Sequence, residues 1–338
     1  MPSSISSSND RIPAGAWGGT WLLTLLLVVG ALGSWEGVLR SKGYEPSHSD
    51  SLKFWALTRA KLNPQEIALL GESRIQFGLD PATFARELNY TSARQLAVKG
   101  SSAHPIFKHL AEESDFKGLL VHSVNESFFF DKTHGTEVSQ RMVLTEYAKF
   151  RALDYLEYSL RSVVQDYLVS QNNEYSLNNM LKVLPKSGWP NPDWHAVFAD
   201  RSHRAYCSRN EKLGKLTVFQ HDTYENLDFP PNPQELKTLL GEIEDSVKRI
   251  QDRGGRVVFV RFPSKGKIRE TERQHFPRAK YWDVLASSTA ALCIHAEDYP
   301  ELSKYECPDE SHLDAKDIPA FTESLAKIIK QKLQDGKK

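Results

Sequence analysis

The chain predicts an α/β fold around a parallel sheet. Short apolar runs of strand length recur at 66–71, 93–98 and 118–124, and again at 256–262 and 292–296. Segments of helical periodicity separate them, at about 80–88 and 103–113, over Pro231 to Arg253, and over most of Thr271 to Ala290. Strands alternating with helices imply a parallel sheet, here of five strands. Right-handed crossovers then gather the carboxyl ends of the strands on one edge, and each of the first three runs is followed there by a residue with chemical potential: Ser73, Gly100 and Asn125.

Residues 1–16 are Ser-rich and read as a disordered tail. Ala16 to Trp35 carries no charge, and in a helix it would extend about 30 Å, one hydrocarbon core. Trp17, Trp21 and Trp35 stand near its ends, as in an aromatic belt. The expectation is an uncleaved transmembrane anchor over 17–38. A cleaved signal peptide is the rival, because Ala31-Leu32-Gly33 forms a small-x-small site. Arg11 precedes the run and Arg40, Lys42 and Lys53 follow it, so charge specifies the orientation poorly and slightly favours the domain on the cytoplasmic side. Residues 39–62 read as a juxtamembrane linker with a helix over Ser51–Lys61. Its Leu52, Trp55, Ala56 and Arg59 make one partly apolar face, for packing on the domain or on a bilayer surface.

The domain proper is expected over 63–338. Of the 338 residues, 40% are hydrophobic, enough for one domain with an insertion or at most two. The 43 basic and 43 acidic residues balance, which argues against a nucleic-acid partner. Residues 131–225 exceed what a minimal alternating unit needs and read as a helical insertion over the active edge. Its Trp189 and Trp194 suit packing or sugar stacking. His203, Arg204 and His221 do not have the spacing of a closed metal site, so neither metal nor other cofactor is expected. Phe128-Phe129-Phe130 reads as core. Cys293 and Cys307 could pair in an oxidising compartment, closing a loop worth about 3 kcal/mol. A buried free thiol at Cys293 is the alternative.

The first run ends in Gly71-Glu72-Ser73-Arg74, with Asp80-Pro81 ahead as the start of a helix. Near the C-terminus stands Asp309-Glu310-Ser311-His312. Serine becomes nucleophilic when a histidine takes its proton and an acid orients the imidazole. Ser73, His312 and Asp309 are therefore the candidate catalytic set.

These blocks resemble the SGNH (GDSL-like) hydrolase superfamily over roughly residues 60–130 and 230–335. Gly71-Glu72-Ser73 stands for the first block, with Glu in place of the family's Asp. Gly100 stands for the second block. In the third, Asn125 is present, but Ser123 replaces the glycine and Glu126 the aspartate. Asp309-x-x-His312 is the last. Arg74 and the Ser-His-Leu-Asp of 311–314 resemble members anchored in membranes that modify cell-envelope polymers. The resemblance implies a flavodoxin-like three-layer sandwich with a five-stranded parallel sheet, a serine esterase or O-acyltransferase activity, and an oxyanion hole from the Ser73 and Gly100 N–H groups and the Asn125 amide. It implies an acylated envelope carbohydrate or other ester as substrate, and an inner-membrane anchor with the domain on the periplasmic or extracytoplasmic side. A non-catalytic binding protein on the same fold and a lipid-directed esterase are the alternatives. Oligomeric state is not specified.

Overall fold

The computed structural model describes residues 17–130, 137–190, 195–206 and 231–335. The expected tail at 1–16, parts of the expected insertion, Trp194, Cys207 and His221 lie outside the described residues. The chain divides into two compact units, one of residues 1–46 with 168–192, the other of 47–167 with 193–338.

The first unit holds α1 (Trp17–Ser41), the one described helix long and apolar enough to cross a membrane. It runs three residues past the expected boundary at 38. A single helical turn at Val169–Gln171 and a helix from Leu177 to Ser187 complete the unit. Residues 168–190, which fall within the expected insertion, group with α1 in this unit.

The second unit begins with α2 (Leu52–Ala60), capped by the Ser51 hydroxyl, which accepts the Phe54 N–H at 3.2 Å. This helix, expected over Ser51–Lys61, packs on the domain. Phe54, Trp55 and Leu57 are buried, and the Trp55 indole donates to the Leu96 carbonyl at 2.8 Å. Next come β1 (Ile67–Leu70), α3 (Ser73–Gly78), α4 (Pro81–Leu88), β2 (Ala93–Gln95), α5 (His104–Glu112), β3 (Leu119–Ser123) and α6 (Glu126–Phe129). Helix α4 starts as expected, with Asp80 accepting the Thr83 N–H and Pro81 at its first position. It stops at Asn89, whose φ of 61° is left-handed.

After α7 (Val138–Ala148), α8 (Ala152–Gln165) and α9, which is the Leu177–Ser187 helix of the first unit, come β4 (His195–Val197) and β5 (His203–Ala205). These two strands form an antiparallel hairpin within a region expected to be helical. The last elements are α10 (Pro233–Asp252), β6 (Arg256–Arg261), α11 (Gly266–His275), α12 (Trp282–Ser288), β7 (Leu292–His295), α13 (Pro300–Ser303) and α14 (Ile318–Asp335). The helix expected over 271–290 is divided at Pro277, which cannot donate a backbone hydrogen bond and keeps Phe276 out of the helical region.

Strands β2-β1-β3-β6-β7 form one sheet in that order, every neighbouring pair parallel. Successive residues of a strand point to opposite faces. Ala68, Leu70, Leu120, Val257 and Phe259 pack into an apolar cluster with α5, α10 and α12. Ile67, Leu69, Leu119, Val121, Val258 and Val260 pack into another with α3, α4 and α14. Both faces are covered, so the strands read as continuous apolar runs rather than alternating ones.

Candidate functional site

Gly71 and Glu72 turn the chain sharply out of β1. Gly71 has φ 139°, and a Cβ there would lie 2.5 Å from the Cβ of Ser123. Glu72 caps α3 by accepting the Arg74 N–H at 2.5 Å, and its other oxygen accepts the Ser123 hydroxyl at 2.5 Å. Glu72 thus ties the end of β1 to the end of β3. Ser73 is thereby the first residue of α3, at the carboxyl edge of the sheet.

The Asp-x-x-His loop folds back over this edge between α13 and α14. Ser73 Oγ lies 2.8 Å from His312 Nε2, and His312 Nδ1 lies 2.6 Å from Asp309 Oδ2. The other Asp309 oxygen accepts the backbone N–H of His312 at 2.7 Å and of Ser311 at 3.0 Å. Burial opposes charge on Asp309, but His312 and these hydrogen bonds hold its carboxyl below the usual range. An ionised carboxylate only accepts hydrogen bonds, so Nδ1 carries the imidazole hydrogen and Nε2 is left to accept the Ser73 hydroxyl. The Phe77 ring packs 4.7 Å from His312.

Gly100 lies in the turn beyond β2, in a left-handed conformation with φ 65°. Asn125 lies beyond β3 and caps α6, its Oδ1 accepting the Ser127 N–H at 3.2 Å. Both strands flank β1 in the sheet, so Ser73, Gly100 and Asn125 share one edge.

A buried ion-pair network, unforeseen from the sequence, underlies this edge. Arg74 and Arg261 both pair with Glu272, and Arg261 Nε also meets Glu126 Oε1 at 3.1 Å. Arg74 Nε donates to Ser311 Oγ at 3.3 Å, and Ser264 Oγ donates to Glu272 at 2.7 Å. Burial opposes charge on Glu272, but the two arginines outweigh it and hold its carboxyl below the usual range. The chain neighbours of Ser73, Asn125 and His312 (Arg74, Glu126 and Ser311) are thus tied into one network. An isolated buried charge is costly, so Arg261 at the end of an apolar strand is the residue whose partners the sequence demanded.

The β4–β5 hairpin braces the loop from another side. The Ala315 N–H donates to the Ala205 carbonyl at 2.8 Å, and Arg204 pairs with Asp80. His203 lies against Asp50, 3.3 Å away, and its ring packs on Phe77. Cys293 and Cys307 are free rather than bridged, and burial pushes each thiol up to about 12. Trp189 stacks on Trp35. No protein-family model matches the chain, and no curated protein is found similar to it.

Proposed function

We propose that the protein is an SGNH-type serine esterase or O-acyltransferase that works through an acyl-Ser73 intermediate. The observation that carries this reading is the Ser73–His312–Asp309 array, in which Ser73 and His312, 239 residues apart in sequence, lie at hydrogen-bond length, as do His312 and Asp309. His312 Nε2 takes the Ser73 proton as Oγ attacks the ester carbonyl. It then returns that proton to the leaving alcohol, and the acyl group remains on Oγ. Asp309 keeps the imidazole in the required tautomer and stabilises its charged form. The Ser73 and Gly100 N–H groups and the Asn125 amide are the donors for the tetrahedral oxyanion, each worth about 3 kcal/mol. Attack by water completes hydrolysis, and attack by a sugar hydroxyl completes transfer. The strand order and the two apolar clusters support a flavodoxin-like three-layer arrangement for the domain. The substrate proposed is an O-acetylated or similarly acylated carbohydrate of the cell envelope, and α1 is proposed as an anchor that holds the domain outside the cytoplasmic membrane.

A fluorophosphonate probe should label the wild type, and Ser73→Ala should lose labelling and essentially all ester cleavage while folding normally. Asn125→Ala should lose roughly a hundred- to thousandfold in turnover. Equal cleavage by wild type and Ser73→Ala would remove the enzyme reading with this nucleophile. A reporter active only outside the cytoplasm, fused at Lys338, should be active. Silence there with an active cytoplasmic reporter would reverse the topology.

A further inference from the structure

The first compact unit contains a second structure built onto the end of α1. The residues of α1 from Trp17 to Leu32 are exposed on all sides, as a membrane-embedded helix would be before lipid is added. From Trp35 onward that changes. Trp35 stacks on Trp189 with ring centres 6.1 Å apart, and Lys42 sits 5.4 Å over the Trp189 ring. The Trp35 indole donates to the Tyr175 carbonyl at 3.2 Å, and the Tyr44 ring packs 4.5 Å from that of Tyr175. Glu36 accepts the backbone N–H groups of Val169 and Ser170, each at 3.0 Å. Tryptophan, tyrosine and lysine are the side chains that settle at headgroup depth, apolar in body and polar at the tip. This collar marks the level on α1 where a bilayer surface would lie.

Helix α9 is attached to the collar. The Ser176 hydroxyl caps its start, and Met180 is turned inward with no exposure. Leu177 and Leu181, one helical turn apart, face outward at 48% and 63% exposure. The helix carries Lys182 and Lys186 and no acidic residue. A short amphipathic helix with leucines outward, lysines in its C-terminal half and a place beside the collar suits the boundary between acyl chains and anionic headgroups.

We propose that α9 is a membrane-surface docking helix, seated with Leu177 and Leu181 in the acyl boundary and Lys182 and Lys186 on anionic headgroups. The inference rests on the reading of α1 as an anchor, and the test separates the two. The full chain, its three cysteines changed to serine, is given an environment-sensitive fluorophore at Leu181→Cys, at Leu177→Cys or, within the anchor, at Leu26→Cys. Each labelled protein is reconstituted in vesicles of phosphatidylcholine and phosphatidylglycerol with bromines placed shallow or deep on the acyl chains. The expected result is deep quenching at Leu26, and at Leu181 and Leu177 a loss of roughly half the emission to shallow bromines with protection from aqueous iodide. Quenching at Leu26 with Leu181 and Leu177 open to iodide and untouched by bromines would overturn the inference and leave the anchor standing. Protection from iodide without bromine quenching would mean that protein, not lipid, covers the helix, and would overturn it too. No bromine quenching at any of the three sites would remove the anchor and the docking helix together.

Discussion

Two sets of arginine–carboxylate pairs in the second unit use the same side chains in opposite surroundings. Arg74 and Arg261 share Glu272 with side chains at most 1% exposed, whereas Arg278 meets Asp283 and Asp298 with all three at 39% or more. On the surface, water already solvates each charge, so pairing changes little. In the interior the charges have lost their water, and each depends on its partners. The buried set also lies where it can act, since it joins the residues adjoining Ser73, Asn125 and His312. The surface set joins the start of α12 to the loop after β7 and touches none of them. Identical chemistry is thus a structural determinant in one place and close to ornamental in the other.

The sharpest way to break this contrast is Glu272→Ala. It removes the carboxylate that Arg74 and Arg261 share and leaves Glu126 to balance the buried pair of guanidinium groups, and the expected cost is about 3–5 kcal/mol of unfolding free energy, measured by denaturant melts. If Ser73 acts as proposed, ester turnover should fall further than stability alone explains, because Arg74 loses the partner that fixes it beside Ser311. A loss below about 1 kcal/mol would mean that water reaches the network, which would place it with the surface set.

Acid should act on the buried set through Glu272. The carboxyl of Glu272 is held below the usual range by Arg74 and Arg261 against the opposing effect of burial. A carboxyl depressed in the folded state contributes stability above its unfolded pKa of about 4.3 and loses it as pH falls through the folded value. Glu272→Gln resembles the protonated side chain. Its deficit against wild type should be full at neutral pH and shrink as pH drops below about 4. A deficit that stays constant down to the acid transition would show that shape, not charge, is what glutamine fails to supply.

The same contrast explains what could be read from sequence. Ser73, Gly100 and Asn125 could be assigned to one edge because each follows an apolar run in an alternating pattern, and topology does the rest. Asp309 and His312 announced their pairing by being three apart. The network did not announce itself. Arg74 and Glu272 are separated by 198 residues, and nothing local distinguishes Glu272 from the other charges of α11. Arg261 was the available signal, a charge directly after four apolar strand residues. Helix α3 escaped notice because six residues carry too little periodicity to register. The β4–β5 hairpin has only three-residue strands that include His195, His203 and Arg204, so no apolar alternation marks them. Its order comes from tertiary partners, the Arg201 pair with Asp50 among them.

The smallest effect expected is at Asp298. Its carboxylate meets Arg278 through two oxygens at 2.6 and 2.8 Å, a well-formed fork. The hydrogen bonds from Arg278 hold its carboxyl below the usual range despite partial desolvation. Geometry alone would rank this pair beside the buried ones. Solvent decides otherwise: both side chains are more than a third exposed, Asp283 remains to receive the guanidinium, and ordering two side chains costs entropy. Asp298→Ala should therefore change unfolding free energy by less than about 1 kcal/mol. That difference should vanish in about 1 M salt, where the screening length falls to about 3 Å. The deficit of Glu272→Ala should survive the same salt, because ions do not enter a dry network. Were both variants to lose their deficits together as salt rises, burial would not be what separates the two sets.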